Sequence, residues 1–330
     1  MEPTSKEVQI RVEKCGVCTT DVHLLDHGGL GYLVVKDQPI VLGHEYGGVV
    51  IAVGSDVTNV KPGDRVTVES MRACGQCPQC KRGHSNLCDK HLYIGFPPGG
   101  RGGLTRLATV PASIVYRIPE SLDFEEAAMM EPLSVCVNAV KRADVTMGDD
   151  VIVFGAGPIG LMTLQVARAS GASRVCVVDI SEEKLKLARE LGATHSVLFR
   201  ADETDARANA QKIRDTLGDS ADSAIECSGA SVCLQTSIYA VRAAGVVAVV
   251  GFGDDDVTIP IVDAALREID IRGCVNNNYC FPTAIKLVAS QKVKVKPIIS
   301  HRFRLEDIHT TLDLVRQHGL LKAIVDCTSC

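Results

Sequence analysis

Apolar and polar positions fall into two textures along the chain. Val8, Ile10 and Val12 alternate with Gln9, Arg11 and Glu13, the period of a half-buried strand. Up to about residue 120 the apolar runs stay short and β-rich, as at 47–53 and Arg65–Val68, with turns such as Lys61-Pro62-Gly63-Asp64 between them. From about residue 133 continuous apolar runs at 151–154, 175–178 and 246–250 alternate with helical stretches such as 181–191. Strands apolar on both faces and interleaved with helices predict a parallel sheet covered on both sides. The tail is mixed again: Leu305, Ile308, Leu312 and Val315 make an amphipathic stripe, followed by a strand at Ala323–Asp326. No internal repeat is present.

Length and composition narrow the function classes. The 330 residues suffice for two domains and a large core. A net charge of −5 without a basic cluster argues against nucleic acid as a partner. The first residues alternate charged and apolar side chains, so no signal peptide is expected there. No apolar run approaches the ~20 residues that span a bilayer. Fourteen cysteines without a secretion signal fit a reducing cytosol, and the expected location is cytoplasmic.

Cys74, Cys77, Cys80 and Cys88 follow the spacing C-x2-C-x2-C-x7-C. Two-residue gaps give turns tight enough to wrap four thiolates around one Zn²⁺ at about 2.3 Å. An iron–sulfur cluster is the main competitor, but its run closes with C-x3-C-P, and here the last gap is seven residues with no proline after it. A tetrathiolate has no open coordination position, so this site shapes a loop and the chemistry lies elsewhere.

The run 151–154 leads directly into Gly155-Ala156-Gly157-Pro158-Ile159-Gly160 and then a helical segment through Arg168. Strand, glycine turn, helix and second strand are the context this motif requires. Gly155 allows the tight turn, Gly157 lets a pyrophosphate approach the backbone, and Gly160 packs helix on strand. The helix start, Pro158 and Ile159 included, offers free N–H groups to phosphates. Asp179 ends the second strand, where its carboxylate would accept from ribose hydroxyls and repel a 2′-phosphate, which favours NAD over NADP. Lys184, in the following helix, is counted on the cofactor side.

Cys18 opens Cys18-Thr19-Thr20-Asp21-Val22-His23, and Gly43-His44-Glu45 follows further along. Thiolate, imidazole and carboxylate make a three-ligand zinc set with one position open, the catalytic pattern. Nothing local forces these segments together, so a core thiol, a core histidine and a turn glutamate stand beside the metal reading. Adjacent residues on a regular strand face opposite ways, so His44 and Glu45 need a turn, for which Gly43 and Gly47 supply freedom.

The motifs V-C-T-T-D-V-H, G-H-E, K-P-G-D-R-V, the thiol cluster, E-P-L-S-V and G-A-G-P-I-G occur here in the order seen in zinc-dependent medium-chain dehydrogenases. Residues 130–135, 264–271 and 295–303 resemble the sorbitol (polyol) dehydrogenase branch. The resemblance covers residues 7 to about 327. It implies an α/β chain with a doubly wound Rossmann domain at 133–275 and a β-rich GroES-like catalytic domain discontinuous in sequence, at 1–132 and 276–330. It also implies two zinc ions: a catalytic one on Cys18, His44 and Glu45, with Glu131 binding it or its water, and a structural one on the four clustered thiols. Thr20 and His23 match proton-relay positions, Asp21 would orient His44, and Cys15 would be structural. NAD-dependent oxidation of a secondary alcohol follows, with an alcohol or polyol as the small-molecule partner, no nucleic acid, no membrane, and a homo-oligomer, tetramer or dimer.

Two departures qualify the resemblance. The family begins with extra strands ahead of Val8, and their absence predicts an unpaired sheet edge there. An Arg-Tyr pair of the polyol branch is replaced by Asn276 and Asn277, expected to line a wider substrate pocket. A threonine-type or vicinal-diol dehydrogenase, and a nucleotide-binding protein without turnover, are the alternatives.

Overall fold

A computed structural model describes residues 2–30, 33–34, 39–96, 100–317 and 319–328. The chain divides into two compact units, Met1–Pro132 with Phe281–Ala289 and Val295–Cys330, and Leu133–Cys280 with Ser290–Lys294.

The first unit opens with β1 (Glu7–Val17) and α1 (Thr19–His27), then a short ladder of β2 (Gly29–Leu30) and β3 (Leu33–Val34). β4 (Glu45–Val53), β5 (Arg65–Val68), β6 (Met71–Arg72), α2 (Pro78–Lys81), β7 (Leu92–Tyr93), β8 (Leu107–Pro111), β9 (Val115–Arg117) and α3 (Phe124–Ala128) follow, and α4 (Met130–Arg142) comes next. β1 alternates as its pattern predicts: Val8, Ile10 and Val12 are fully buried while Arg11 is exposed. The expected unpaired edge at this strand is not there. β1 pairs with β4 on one side, and on the other with β8 along Glu7–Arg11. Non-local partners cover it, which no local pattern announces.

The second unit is a six-stranded parallel sheet in the order β12-β11-β10-β13-β14-β15. Its strands are β10 (Asp150–Phe154), β11 (Arg174–Asp179), β12 (His195–Leu198), β13 (Ala221–Glu226), β14 (Val241–Val249) and β15 (Asp270–Gly273). They alternate with α5 (Pro158–Ala169), α6 (Glu182–Glu190), α7 (Ala206–Leu217), α8 (Ser231–Ala240) and α9 (Ile261–Leu266). Ile152, Phe154, Val178, Ile213, Ala224 and Val247 pack in its core. The strand order reverses beside β10, and at that switch point the glycine turn leaves the sheet.

The chain returns to the first unit at α10 (Phe281–Ala289), followed by β16 (His301–Arg304), α11 (Ile308–Arg316) and β17 (Ala323–Asp326). Residues 276–280 stay with the second unit, where Asn138 Nδ2 donates to Asn276 O at 2.9 Å. β17 pairs antiparallel with Lys14–Val17 of β1, so the sheet reads β16-β17-β1-β4-β5-β9 with β8 beside β1. Among the described residues no helix is long and apolar enough to cross a membrane.

The register pair Lys14↔Asp326 is locked by an ion pair of 2.7 Å. Partial burial would raise the Asp326 carboxyl, but Lys14 and the two donors of Thr328 outweigh it and hold the pKa at about 2. A depressed carboxyl stabilises above its unfolded value of about 3.9 and loses that contribution as pH falls through the folded one. Asp326→Asn should therefore cost less than about 1 kcal/mol at neutral pH for a pair this exposed. The difference from wild type should close between about pH 4 and pH 2 in denaturant unfolding, and a gap persisting below that range would refute the assignment.

Candidate active site

The start of α1 and the approach to β4 meet through one side chain. Asp21, wholly buried in the first turn of α1, accepts from Cys18 N at 2.9 Å and from Gly43 N at 3.0 Å. The same carboxylate lies 3.3 Å from His44 Nδ1. Gly43 turns the chain with φ +92°, so His44 precedes the strand and Glu45 begins it. The two neighbours thereby present donors to one point. Gly47 does not supply turn freedom as expected: it lies within β4, where a Cβ would come within 2.5 Å of the Ala127 Cβ.

One donor atom each from Cys18, His44 and Glu45 fall within 4.8 Å of one another, a set that could hold a metal ion. Burial would drive the His44 imidazolium pKa down, but Asp21 and Cys18 beside it raise it well above the ordinary value. Burial would likewise raise Asp21, and His44 outweighs this and lowers it. A soft thiolate, an imidazole oriented by a carboxylate and a second carboxylate is the donor chemistry of zinc.

Thr20 Oγ1 lies 3.4 Å from Cys18 Sγ, and His23 is exposed further along α1, its ring 5.9 Å from that of His27. Glu131 is buried in the first turn of α4, accepts from Ser70 Oγ at 2.7 Å and stands outside the three-atom set. Burial raises its pKa, with His44 opposing and Glu45 adding to the rise. Cys15 is fully buried on β1, and burial pushes its thiol up, the state of an inert core residue.

Lys322 is a site residue that sequence reasoning missed. It is 4% exposed, forms an ion pair with Glu45 Oε2 and donates to Val17 O at 3.2 Å. Burial would lower its pKa, and Glu45 and Cys18 raise it instead. Gly16 makes the pocket for this carboxylate, since a Cβ there would sit 2.2 Å from Glu45 Oε2. A lysine just before an apolar strand carries no local signal that it turns inward.

The second cluster, Cys74, Cys77, Cys80 and Cys88, also gathers four donors within 4.8 Å of one another. Gln76 and Cys77 N–H groups pull the Cys74 thiol down to about 6, whereas partial burial pushes Cys80 up to about 12. Cys77 caps α2, its Sγ accepting from Cys80 N at 3.5 Å, and Cys77 Sγ lies 3.8 Å from Cys88 Sγ.

In the second unit Gly155 has φ +90°, and a Cβ at Gly160 would come within 1.7 Å of Gly155 O. Nothing lies within 4 Å of a Cβ built at Gly157, leaving the open cradle a pyrophosphate needs before the N-terminus of α5, with Pro158 and Ile159 in its first turn. Asp179 accepts from Ala156 N at 2.6 Å and Ser181 N at 2.9 Å, so it braces the glycine turn as well as standing at the end of β11. Lys184 is exposed on α6. Asn277 departs from its expected place on a pocket wall. It is wholly buried, its amide nitrogen donating to Asn276 Oδ1 at 3.1 Å and its Oδ1 accepting from Cys280 N at 3.4 Å. These amides close a tight turn in which Asn276 has φ +51°.

Removing the Lys322 ammonium leaves Glu45 buried without its counter-charge. Lys322→Met should destabilise the metal-free chain by about 3–5 kcal/mol, as breaking a buried pair does. Added zinc should recover part of that loss by supplying positive charge to Glu45. Urea unfolding with and without zinc measures both, and a loss below about 1 kcal/mol would show that the pair behaves like an exposed one.

The sequence matches the alcohol dehydrogenase GroES-like domain over residues 4–120 and the zinc-binding dehydrogenase family over residues 158–290. It is 42% identical to the sorbitol dehydrogenase of Gallus gallus over 326 residues, 99% of this chain and 91% of that protein. It is 39% identical to D-xylulose reductase A of Aspergillus oryzae over 322 residues, 97% of this chain and 89% of that protein. An oxidoreductase/dehydrogenase of unknown specificity from Escherichia coli has the same fold, with a TM-score of 0.91 and 32% identity over 99% of this chain and 93% of that one. With both domains matched and the identity extending over nearly the whole length, the chain belongs to the zinc-dependent medium-chain dehydrogenase family, in its sorbitol dehydrogenase branch.

Proposed function

We propose that the chain interconverts a polyol, such as sorbitol or xylitol, and its ketose by NAD-dependent hydride transfer at a zinc site on Cys18, His44 and Glu45. The observation that carries this reading is the convergence of those three donors within 4.8 Å, in a chain that also has the glycine turn and Asp179 of a dinucleotide site. A nucleotide-binding protein without turnover has no use for such a donor set. The polyol follows from the likeness to a sorbitol dehydrogenase and a D-xylulose reductase. When bound, zinc lends Lewis acidity to the substrate hydroxyl oxygen and NAD accepts the hydride.

The remaining work belongs to the protein. Asp21 holds the Cys18 and Gly43 segments in register and keeps the His44 ring turned toward its partners. Lys322 fixes the Glu45 carboxylate. The Thr20 hydroxyl, beside Cys18, relays the substrate hydroxyl proton, accepting it while releasing its own toward His23 at the surface. Glu131, held by Ser70, is the carboxylate we assign to the open side of the set. The four clustered thiols hold a second, structural zinc.

We assign the protein to the cytoplasm as a dimer or tetramer. No disulfide is formed by the thirteen described cysteines, which suits a reducing compartment. α9 exposes Ile261, Val262 and Leu266 together, an apolar face suited to a second copy.

Cys18→Ser should abolish NADH formation across a polyol panel and remove one of two zinc ions while NAD still binds. Polyol oxidation surviving with one zinc ion lost would overturn the assignment of the catalytic set. Thr20→Ala should lower kcat/KM by about 10²-fold or more, the usual share of a proton-transfer group. His23→Gln should lower it less and chiefly at low pH, because water substitutes near the surface. Equal, small losses in both would show that the proton leaves by another route.

A further inference from the structure

β6 and β7 pair over two positions only, Met71 against Tyr93 and Arg72 against Leu92, yet the loop they close contains all four clustered thiols. So short a ladder does not hold its own register by its pairs alone, and needs ties at both ends of the loop. Its near end reaches the other donor set along both strands. Ahead of β6, Ser70 donates its hydroxyl to Glu131 at 2.7 Å, and its carbonyl accepts from Ile94 N at 2.7 Å. After the loop, rings step toward the site: His91 to Tyr93 at 4.6 Å, Tyr93 to Phe96 at 5.4 Å, and Phe96 to His44 at 5.3 Å. His91 Nδ1 in turn meets the Cys88 carbonyl.

The backbone makes the same connection. Gly95, with φ +77°, lies so close to Gly43 that a Cβ would come within 2.9 Å of the Gly43 carbonyl. Gly43 is the residue whose turn delivers His44. Asp21 fixes the Nδ1 end of the His44 ring, and the buried Phe96 ring, inclined 55° to the imidazole, bounds the ring from another side.

We propose that the tetrathiolate loop acts through this hairpin as the positioning element of the Cys18–His44–Glu45 set, with Phe96 setting the His44 ring and Ser70 setting Glu131. The proposal rests on the reading of that set as a zinc site. Phe96 and Ser70 touch no reacting group in this account and are positioning residues. Outer contacts to a ligating histidine typically change metal affinity by about 10–100-fold.

The test is a metal titration of the full-length apoprotein, with zinc read by competition against a chromophoric chelator and cobalt read by its absorption. A thiolate-only cobalt site and a mixed sulfur, nitrogen and oxygen site have distinct spectra. Wild type should bind two ions. Phe96→Leu should keep the thiolate-rich cobalt band and bind its second zinc about tenfold more weakly, whereas Phe96→Tyr should retain wild-type affinity. Two ions with unchanged second-site affinity in Phe96→Leu overturn the positioning role alone. A wild-type chain that binds one ion overturns the underlying metal reading, and the proposal with it. Should Phe96→Leu not fold, the order of loading in wild type decides. The thiolate-rich band must come first and the mixed-ligand band only after it, and the reverse order overturns the proposal.

Discussion

The Asp21 carboxylate is where the Cys18–His44–Glu45 donor set is assembled. It accepts from the backbone on both sides of the site, at Cys18 and at Gly43, and lies against the His44 ring between them. Burying a carboxylate costs several kcal/mol unless donors and opposite charge replace the lost water. Asp21 has both, and its pKa falls despite complete burial. It is a polar bridge between two segments that are joined by the excursion through β2 and β3 and whose donors converge beside it.

Around this carboxylate the buried ionisable groups each have a defined partner. Glu45 faces Lys322, His44 faces Asp21, and Glu131 accepts from Ser70. Buried ion pairs are weak contributors to stability in general, since desolvation offsets most of their attraction. Their value here is geometric. A donor set built of groups whose partners are already chosen cannot rotate away to find water, and a dication has a fixed place to enter. Lys322 illustrates the point: it immediately precedes the strand that closes the first unit, so the return of the tail to β1 also delivers the counter-charge of Glu45.

What was legible in the sequence was whatever is local. The glycine turn, its strand and its helix occupy adjacent positions, and the roles of Gly155, Gly157 and Gly160 follow from backbone geometry that three nearby residues define. The thiol cluster likewise closes on itself within one loop. The convergence of Cys18 with His44 rests on Asp21, which bridges two segments, and family resemblance rather than spacing pointed to it. Lys322, Ser70 and Phe96 act across far greater separations, and no pattern around them marks an inward-facing or ring-stacking role. The same limit explains the strand edge at β1, covered by β8 and β17 from distant sequence. It explains Asn277 as well, where an exchange of side-chain chemistry was legible and its burial in a turn was not.

Crystals grown with zinc and measured on both sides of the zinc absorption edge test the central claim most directly. Two anomalous peaks per chain are expected, one enclosed by Cys74, Cys77, Cys80 and Cys88 and one bounded by Cys18, His44 and Glu45. A chain with a peak among the four thiols but none beside His44, in protein that still reduces NAD with a polyol, would contradict it.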